Sequence, residues 1–267
     1  MPTILIVGGT RGLGASLAAV YAAAGDTVYA TARSDAPPAS PSHLNISWIP
    51  NIDIASDTAG PALASALPAH AVIDILIVSA GYFASETFDA PKFSEQVRMY
   101  TTSAVGPVFV VQALVAAGKI KANLGVEGGG AGGEGGKVVL VSSESGSIAL
   151  RHANEGGGNY GHHASKTALN MVGKLLSLDL AERGIAVAIV HPGFMRTEMT
   201  KHVGYDQYWD SGGAVTPDEA AASLIPFVNL FNMSMTGEFW APRGARDIGT
   251  AEVVMGKNLS TPLQLPW

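Results

Sequence analysis

Gly8-Gly9-Thr10-Arg11-Gly12-Leu13-Gly14 follows directly on the apolar run at positions 3–7, and Gly8, Gly12 and Gly14 fit the pattern G-x-x-x-G-x-G. Glycines at that spacing allow a tight turn, so backbone N–H groups at a helix start can close on a pyrophosphate. The pattern by itself is weak, but a strand before it and a helix after it supply the context a dinucleotide site needs. The loop residues Gly8, Thr10, Arg11, Gly12, Leu13 and Gly14 are therefore expected to hold phosphates. A carboxylate ending the second strand would bind the ribose diol of NAD. The chain instead reads Tyr29-Ala30-Thr31-Ala32-Arg33, with no acid before Ser34. Arg33 and Arg11 present planar guanidinium forks that match a 2′-phosphate. NADP(H) is the expected cofactor.

Other chemistries find less support. His162 and His163 are adjacent, so on a helix they diverge by about 100°, and no further ligand stands at metal spacing on that face. No metal is expected. The chain lacks cysteine altogether, which excludes disulfides and thiolate catalysis and fits a cytoplasmic location. Of 267 residues 14% are charged, the net charge is −6 and no stretch concentrates Lys or Arg. A nucleic-acid partner is not expected of such a surface. The apolar N-terminal run is too short for a signal peptide or a membrane span, so no membrane partner is expected either.

These residues must be positioned by strands and helices. Short β-rich runs at 3–7, 27–31, 47–52, 72–79, 137–142 and 185–191 alternate with Ala/Leu-rich segments at 13–24, 58–66, 103–117, 162–182 and 217–231. Apolar runs with little alternation suit parallel strands covered on both faces. The expected fold is a single α/β domain, a doubly wound parallel sheet of Rossmann type, spanning 1–267. Gly25 offers a helix stop, and Thr216-Pro217-Asp218-Glu219 reads as a capping box. The segment 125–136, nearly all glycine, is expected to be a mobile surface loop.

With that order of elements the sequence resembles the short-chain dehydrogenase/reductase family over nearly its whole length. Asp53 in Ile52-Asp53-Ile54 matches the acid that contacts adenine, and Ser79-Ala80-Gly81 stands where the family has Asn-Ala-Gly. Ser142-Ser143-Glu144-Ser145-Gly146 places Ser143 at the catalytic serine. His191-Pro192-Gly193-Phe194-Met195-Arg196-Thr197 looks like the Pro-Gly segment whose Thr holds the carboxamide. The resemblance thus adds Asp53, Ala80, Gly81, Lys166, Pro192, Gly193 and Thr197 to the cofactor residues. The stretches Trp240-Ala241-Pro242-Arg243-Gly244 and 263–267 look like those of fungal members near the C-factor group.

The family's Tyr-x-x-x-Lys ends at Lys166, yet position 162 holds His. Tyr160 cannot substitute, since two residues turn a helix by about 200°. The auxiliary Asn, expected three residues before Gly106-Pro107, is Ser103. In the family Tyr donates the proton that completes carbonyl reduction. Burial and the Lys166 ammonium disfavour an imidazolium at His162, which makes it a weaker acid. One reading keeps carbonyl reduction with His162 or water as donor. A second reduces an iminium, which needs no proton, with Glu144 stabilising the cation. A third is non-redox, a cyclase or Diels–Alderase, as some fungal alkaloid-pathway members of the family combine with reduction. A fourth is a non-catalytic cofactor-binding protein.

The substrate is expected beyond the carboxyl ends of the strands. Phe83, Phe194, Tyr205, Tyr208 and Trp209 are expected as apolar walls, and about 194–215 as a lid. The helices at 103–117 and 162–182 resemble the family's dimerisation helices and imply a homodimer or homotetramer acting on a small molecule.

Overall fold

Strand β1 (Thr3–Val7) sends Leu5 and Val7 into one hydrophobic core and Ile4 and Ile6 into another, so both sides of the strand are dry. The same division runs through β2 (Thr27–Thr31), β4 (Ile75–Val78), β5 (Lys137–Val141) and β6 (Ala186–Val190). Burying a Val, Leu or Ile side chain contributes about 1.5–3 kcal/mol, so strands apolar at every position are stable only between two helical layers. The computed structural model describes residues 1–35, 45–123 and 135–267 and shows that arrangement. With β3 (Ile46–Ile49), β7 (Phe239–Ala241) and β8 (Leu263–Gln264), the sheet has eight strands in the order β3-β2-β1-β4-β5-β6-β7-β8. All neighbours pair in parallel except β7 with β8.

On one face lie helices α2 (Ala59–Ala66), α3 (Phe93–Tyr100), α4 (Gly106–Ala116) and α5 (Tyr160–Asp179); on the other lie α1 (Gly12–Ala23) and, beyond the short α6 (Glu198–His202), α7 (Pro217–Leu230). The short α8 (Ala251–Met255) packs with β7, β8 and Leu150 in a third cluster. The Thr216 capping box and the Gly25 stop are present as expected, the latter at φ +88°. Phe93–Ala116 is long and apolar enough to cross a membrane, but half of it is buried within the protein.

Several boundaries differ from the sequence expectations. The segment at 103–117 is the second half of a longer rod, which a π-helical turn at Thr101–Val105 divides into α3 and α4. The strand expected at 72–79 begins at Ile75; before it, Ile73 pairs with Ile120 in an isolated bridge rather than with the sheet. Strands β7 and β8 were not anticipated, being three and two residues long. The glycine-rich stretch lies outside the described residues as far as position 134. Its end is packed: a Cβ on Gly135 would stand 2.0 Å from the Gly184 carbonyl oxygen.

Candidate active site

The glycine loop brings the first turn of α1 against the tips of β1 and β4. A Cβ on Gly14 would lie 2.1 Å from the Gly8 carbonyl oxygen, and one on Gly8 2.7 Å from the Ala80 nitrogen. Only hydrogen fits at either place, and Gly8 also needs φ +91°. Helix α1 starts at Arg11 with no side-chain cap and no acid in its first turn. Its N–H groups and positive dipole end are left for an anion. Arg11 and Arg33 are exposed, and neither enters an ion pair among the described residues. Asp53 accepts from the Ala55 N–H at 3.1 Å and stands on the same side. These groups fit the phosphates and adenosine of a dinucleotide.

The loop opens into a cavity of about 960 Å³. Ala80 and Gly81 from the end of β4, Ser143 and Glu144 from the end of β5, and Pro192, Gly193 and Thr197 from the end of β6 all line it, as do Thr10, Leu13, His162 and Lys166. Tertiary structure therefore brings every catalytic candidate to one place. The contact between β5 and α5 depends on Gly146, where a Cβ would meet the Lys166 carbonyl carbon at 2.7 Å. Lys166 Nζ donates to the Val141 carbonyl at 2.8 Å, and burial pulls its pKa down to about 8. Ser143 accepts from the Ser145 N–H at 3.2 Å. Thr197 caps α6, accepting from Thr200.

His162 is held well below the usual histidine range, first by burial and then by Lys166, His163 and Arg151. It is neutral at neutral pH. Its Nδ1 is buried without a hydrogen-bond partner among the described residues. Nε2 is not among the buried unpartnered atoms, so a proton assigned to Nε2 leaves no buried donor orphaned. The ring is stacked on Phe83 with centroids 4.1 Å apart. Tyr160 is 41% exposed and does not line the cavity, as its helical phase requires. Ser103 sits in the π turn with its Oγ buried and without a partner. A π turn in a long helix often marks a functional site.

Glu144 lines the cavity as a paired carboxylate: Arg151 pairs with its Oε2, and Ser145 Oγ donates to Oε1 at 2.9 Å. Arg151 also reaches Glu155 at 3.1 Å, so the three groups together carry a single negative charge. Trp209 does not line the cavity; its indole donates to Thr200 Oγ1 and its face is turned to Arg196. Tyr205 is at the cavity but is not simply apolar, because Asn159 Nδ2 donates to its oxygen at 2.7 Å.

The sequence reading also missed residues. Asp247 receives the Phe194 N–H on Oδ2 and faces His191 Nε2 at 3.3 Å, while His191 Nδ1 accepts from the Glu144 N–H at 3.0 Å. One side chain thus joins the ends of β5 and β6 to the C-terminal segment. Burial opposes ionisation of Asp247, but bonding from His191 and the Phe194 N–H, with Arg243 nearby, holds its pKa below the ordinary value. The only signal for it was a local charge cluster, Arg243, Arg246 and Asp247, in a tail otherwise poor in charge.

A family model described as short chain dehydrogenase matches residues 2–207. The chain belongs to the short-chain dehydrogenase family. Short chain dehydrogenase gsfK of Penicillium aethiopicum is 30% identical over 257 residues, 89% of this chain and 95% of that relative. The 1-hydroxy-2-glutathionyl-2-methyl-3-butene dehydrogenase of Rhodococcus sp. (strain AD45) is 27% identical over 240 residues, 90% of this chain and 96% of the relative. The NADPH-bound carbonyl reductase from chicken fatty liver shares the fold across 100% of this chain and 99% of its own, with TM-score 0.73 at 19% identity. This short-chain dehydrogenase is an oxidoreductase in class, with a histidine standing at position 162.

Proposed function

We propose that the chain is an NADP(H)-dependent reductase of a small carbonyl compound, with atypical groups around the reacting oxygen. The observation that carries the reading is the convergence of an uncapped, glycine-cradled helix start and two guanidinium groups without an ion pair among the described residues, with Ser143 and Lys166 on one cavity. Bound NADPH supplies the hydride. Arg33 and Arg11 hold the 2′-phosphate, the α1 loop holds the pyrophosphate, Asp53 the adenine and Ala80–Gly81 the adjoining ribose. Lys166 holds the nicotinamide ribose, and Pro192, Gly193 and Thr197 hold the carboxamide. Structural relatives described as NADP complexes support the choice of cofactor, among them a Burkholderia multivorans protein 27% identical to this chain.

Ser143 donates its hydroxyl to the carbonyl oxygen as charge develops there. His162, neutral with its proton on Nε2, offers a second hydrogen bond but little acidity, so water completes the alkoxide. Reduction of an iminium is the narrower version of this reading; Arg151 weakens it by neutralising most of the Glu144 charge. A cofactor-dependent cyclase, Diels–Alderase-like, is the second reading, favoured by the missing phenol at position 162. The segment 194–215 acts as the substrate lid. Fungal-type secondary metabolism is the setting, in keeping with the likeness to a Penicillium short chain dehydrogenase, and the C-factor-like branch rests on the C-terminal sequence stretches alone. Exposed apolar side chains on α3–α4 and α5, including Val97, Phe109, Met171 and Leu175, suit a homodimer or homotetramer.

The test is NADPH consumption with a panel of aromatic ketones, quinones and cyclic iminium salts. Turnover of any member supports reduction. Tight NADPH binding with no consumption across the panel removes the reductase reading and leaves the cyclase or a non-catalytic binder.

A further inference from the structure

Tyr205 stands on the short 3₁₀ turn Tyr205–Tyr208 that follows α6, and its ring and that of Phe83 meet T-shaped, with centroids 5.6 Å apart and planes at 87°. Phe83 in turn is stacked on His162. All three rings line the cavity. What the phenol does there is decided by Asn159.

Asn159 precedes α5 at φ +50° and is clamped by backbone bonds, donating to the Glu86 carbonyl at 3.0 Å and accepting from the His163 N–H at 3.0 Å. The Glu86 N–H also points at its Oδ1, at 3.4 Å. A backbone N–H can only donate, so that side of the amide must be the oxygen, and Nδ2 must face Tyr205. The Tyr205 oxygen is therefore an acceptor in its one hydrogen bond among the described residues. Its own proton has no acceptor among the described residues and is free to point into the cavity. Burial, foremost, keeps the phenol above its ordinary pKa, so it stays protonated across the working range and is a hydrogen-bond donor rather than an acid.

We propose that Tyr205 is a substrate-binding residue whose O–H, oriented by Asn159, donates to an acceptor oxygen on the substrate at a point separate from the carbonyl undergoing reduction. The substrate class is then a compound with at least two oxygens, one for Ser143 and one for Tyr205, both of which line the cavity. This rests on the reductase reading for the position of the reacting carbonyl, but the hydrogen bond itself does not depend on turnover.

The experiment compares the wild-type protein with Tyr205→Phe and Asn159→Gly, the second retaining the left-handed backbone while removing the amide. The probes are phenanthrenequinone, which carries a neighbouring oxygen, and fluorenone, which does not. Tyr205→Phe is expected to raise the quinone KM about tenfold, the worth of one good hydrogen bond, with kcat, melting temperature and NADPH affinity little changed. Fluorenone should respond less than twofold, roughly. Asn159→Gly should shift the quinone KM in the same direction. A quinone KM that stays put, or a loss equal for both probes, overturns the proposal. If the wild-type protein consumes no NADPH with either probe, the reductase reading fails by itself. Tyr205 is then judged by tryptophan quenching on titrating quinone into the NADP-saturated protein. An unchanged Kd in Tyr205→Phe rejects it, and an increase of about tenfold sustains it.

Discussion

The imidazole of His162 lies on the ring of Phe83 with centroids 4.1 Å apart and planes inclined by 28°. A side chain at the position where the family keeps its proton donor is thus packed as part of an aromatic wall. Its buried Nδ1 has no partner among the described residues, and burial with the Lys166 charge suppresses protonation. His162→Tyr restores a phenol four residues before Lys166. NADPH-dependent reduction of an aromatic ketone should rise by at least about tenfold, since general acid catalysis contributes about 10²–10⁴. No gain in a folded variant would show that proton delivery does not limit the reaction.

Arg33 and Arg11 are exposed and enter no ion pair among the described residues, whereas Arg196, also at the cavity, pairs with Asp210 at 2.7 Å. Arg33→Ala should weaken NADPH binding about tenfold or more while leaving NADH binding nearly unchanged, the range expected for a charged hydrogen bond. The two dissociation constants can be read by cofactor fluorescence. Equal losses for both cofactors would place Arg33 away from the 2′-phosphate.

Glu86 is 5% exposed and accepts from the Lys92 N–H, Gln96 Nε2 and the Gly161 N–H at 2.6–3.0 Å, tying the start of α3 to the start of α5. Burial opposes its charge, but those donors outweigh it and hold the pKa below the ordinary value. A depressed carboxylate stabilises the fold above the unfolded pKa, and that contribution fades as pH falls through the folded one. His162 acts in the same direction. Below the unfolded histidine pKa the unfolded chain takes up a proton that the folded chain refuses. Glu86→Gln should lower stability at neutral pH by about 2 kcal/mol and flatten the acid side of the melting-temperature profile. An unaltered profile would deny Glu86 this role.

Asp247 holds the Phe194 N–H and faces His191, with Arg243 as its nearby cation. Asp247→Asn keeps the shape and removes the charge. Cofactor affinity should fall several-fold and stability by about 2–3 kcal/mol, the cost of disturbing a buried charged network. Calorimetric binding and thermal melts measure the two effects. Full retention of both would mean that the β5 and β6 ends are fixed by other contacts.

The dinucleotide loop was legible because its signal is local: the loop, the strand before it and the helix after it are contiguous, and Gly8, Gly12 and Gly14 carry the geometry. The parallel sheet was legible for a similar reason, as apolar runs at 27–31 and 137–142 have nowhere else to go. The roles of Glu144, Tyr205 and Trp209 were not. Each depends on a partner distant in the chain or on the path of a turn, Asn159 lying 46 positions before Tyr205.

The sequence by itself determined the α/β architecture, the cofactor loop with its two arginines and the replacement of tyrosine by His162. Hydrophobic periodicity and glycine stereochemistry act within a few residues, so they can be read in order along the chain. Only the tertiary structure decided that Arg151 pairs with Glu144, that His191 joins the end of β5 to that of β6 with Asp247 behind it, and that Asn159 turns the Tyr205 proton toward the cavity. Hydrogen bonds and ion pairs are short-ranged and directional, and which groups come within 3 Å of each other is set by folding rather than by spacing.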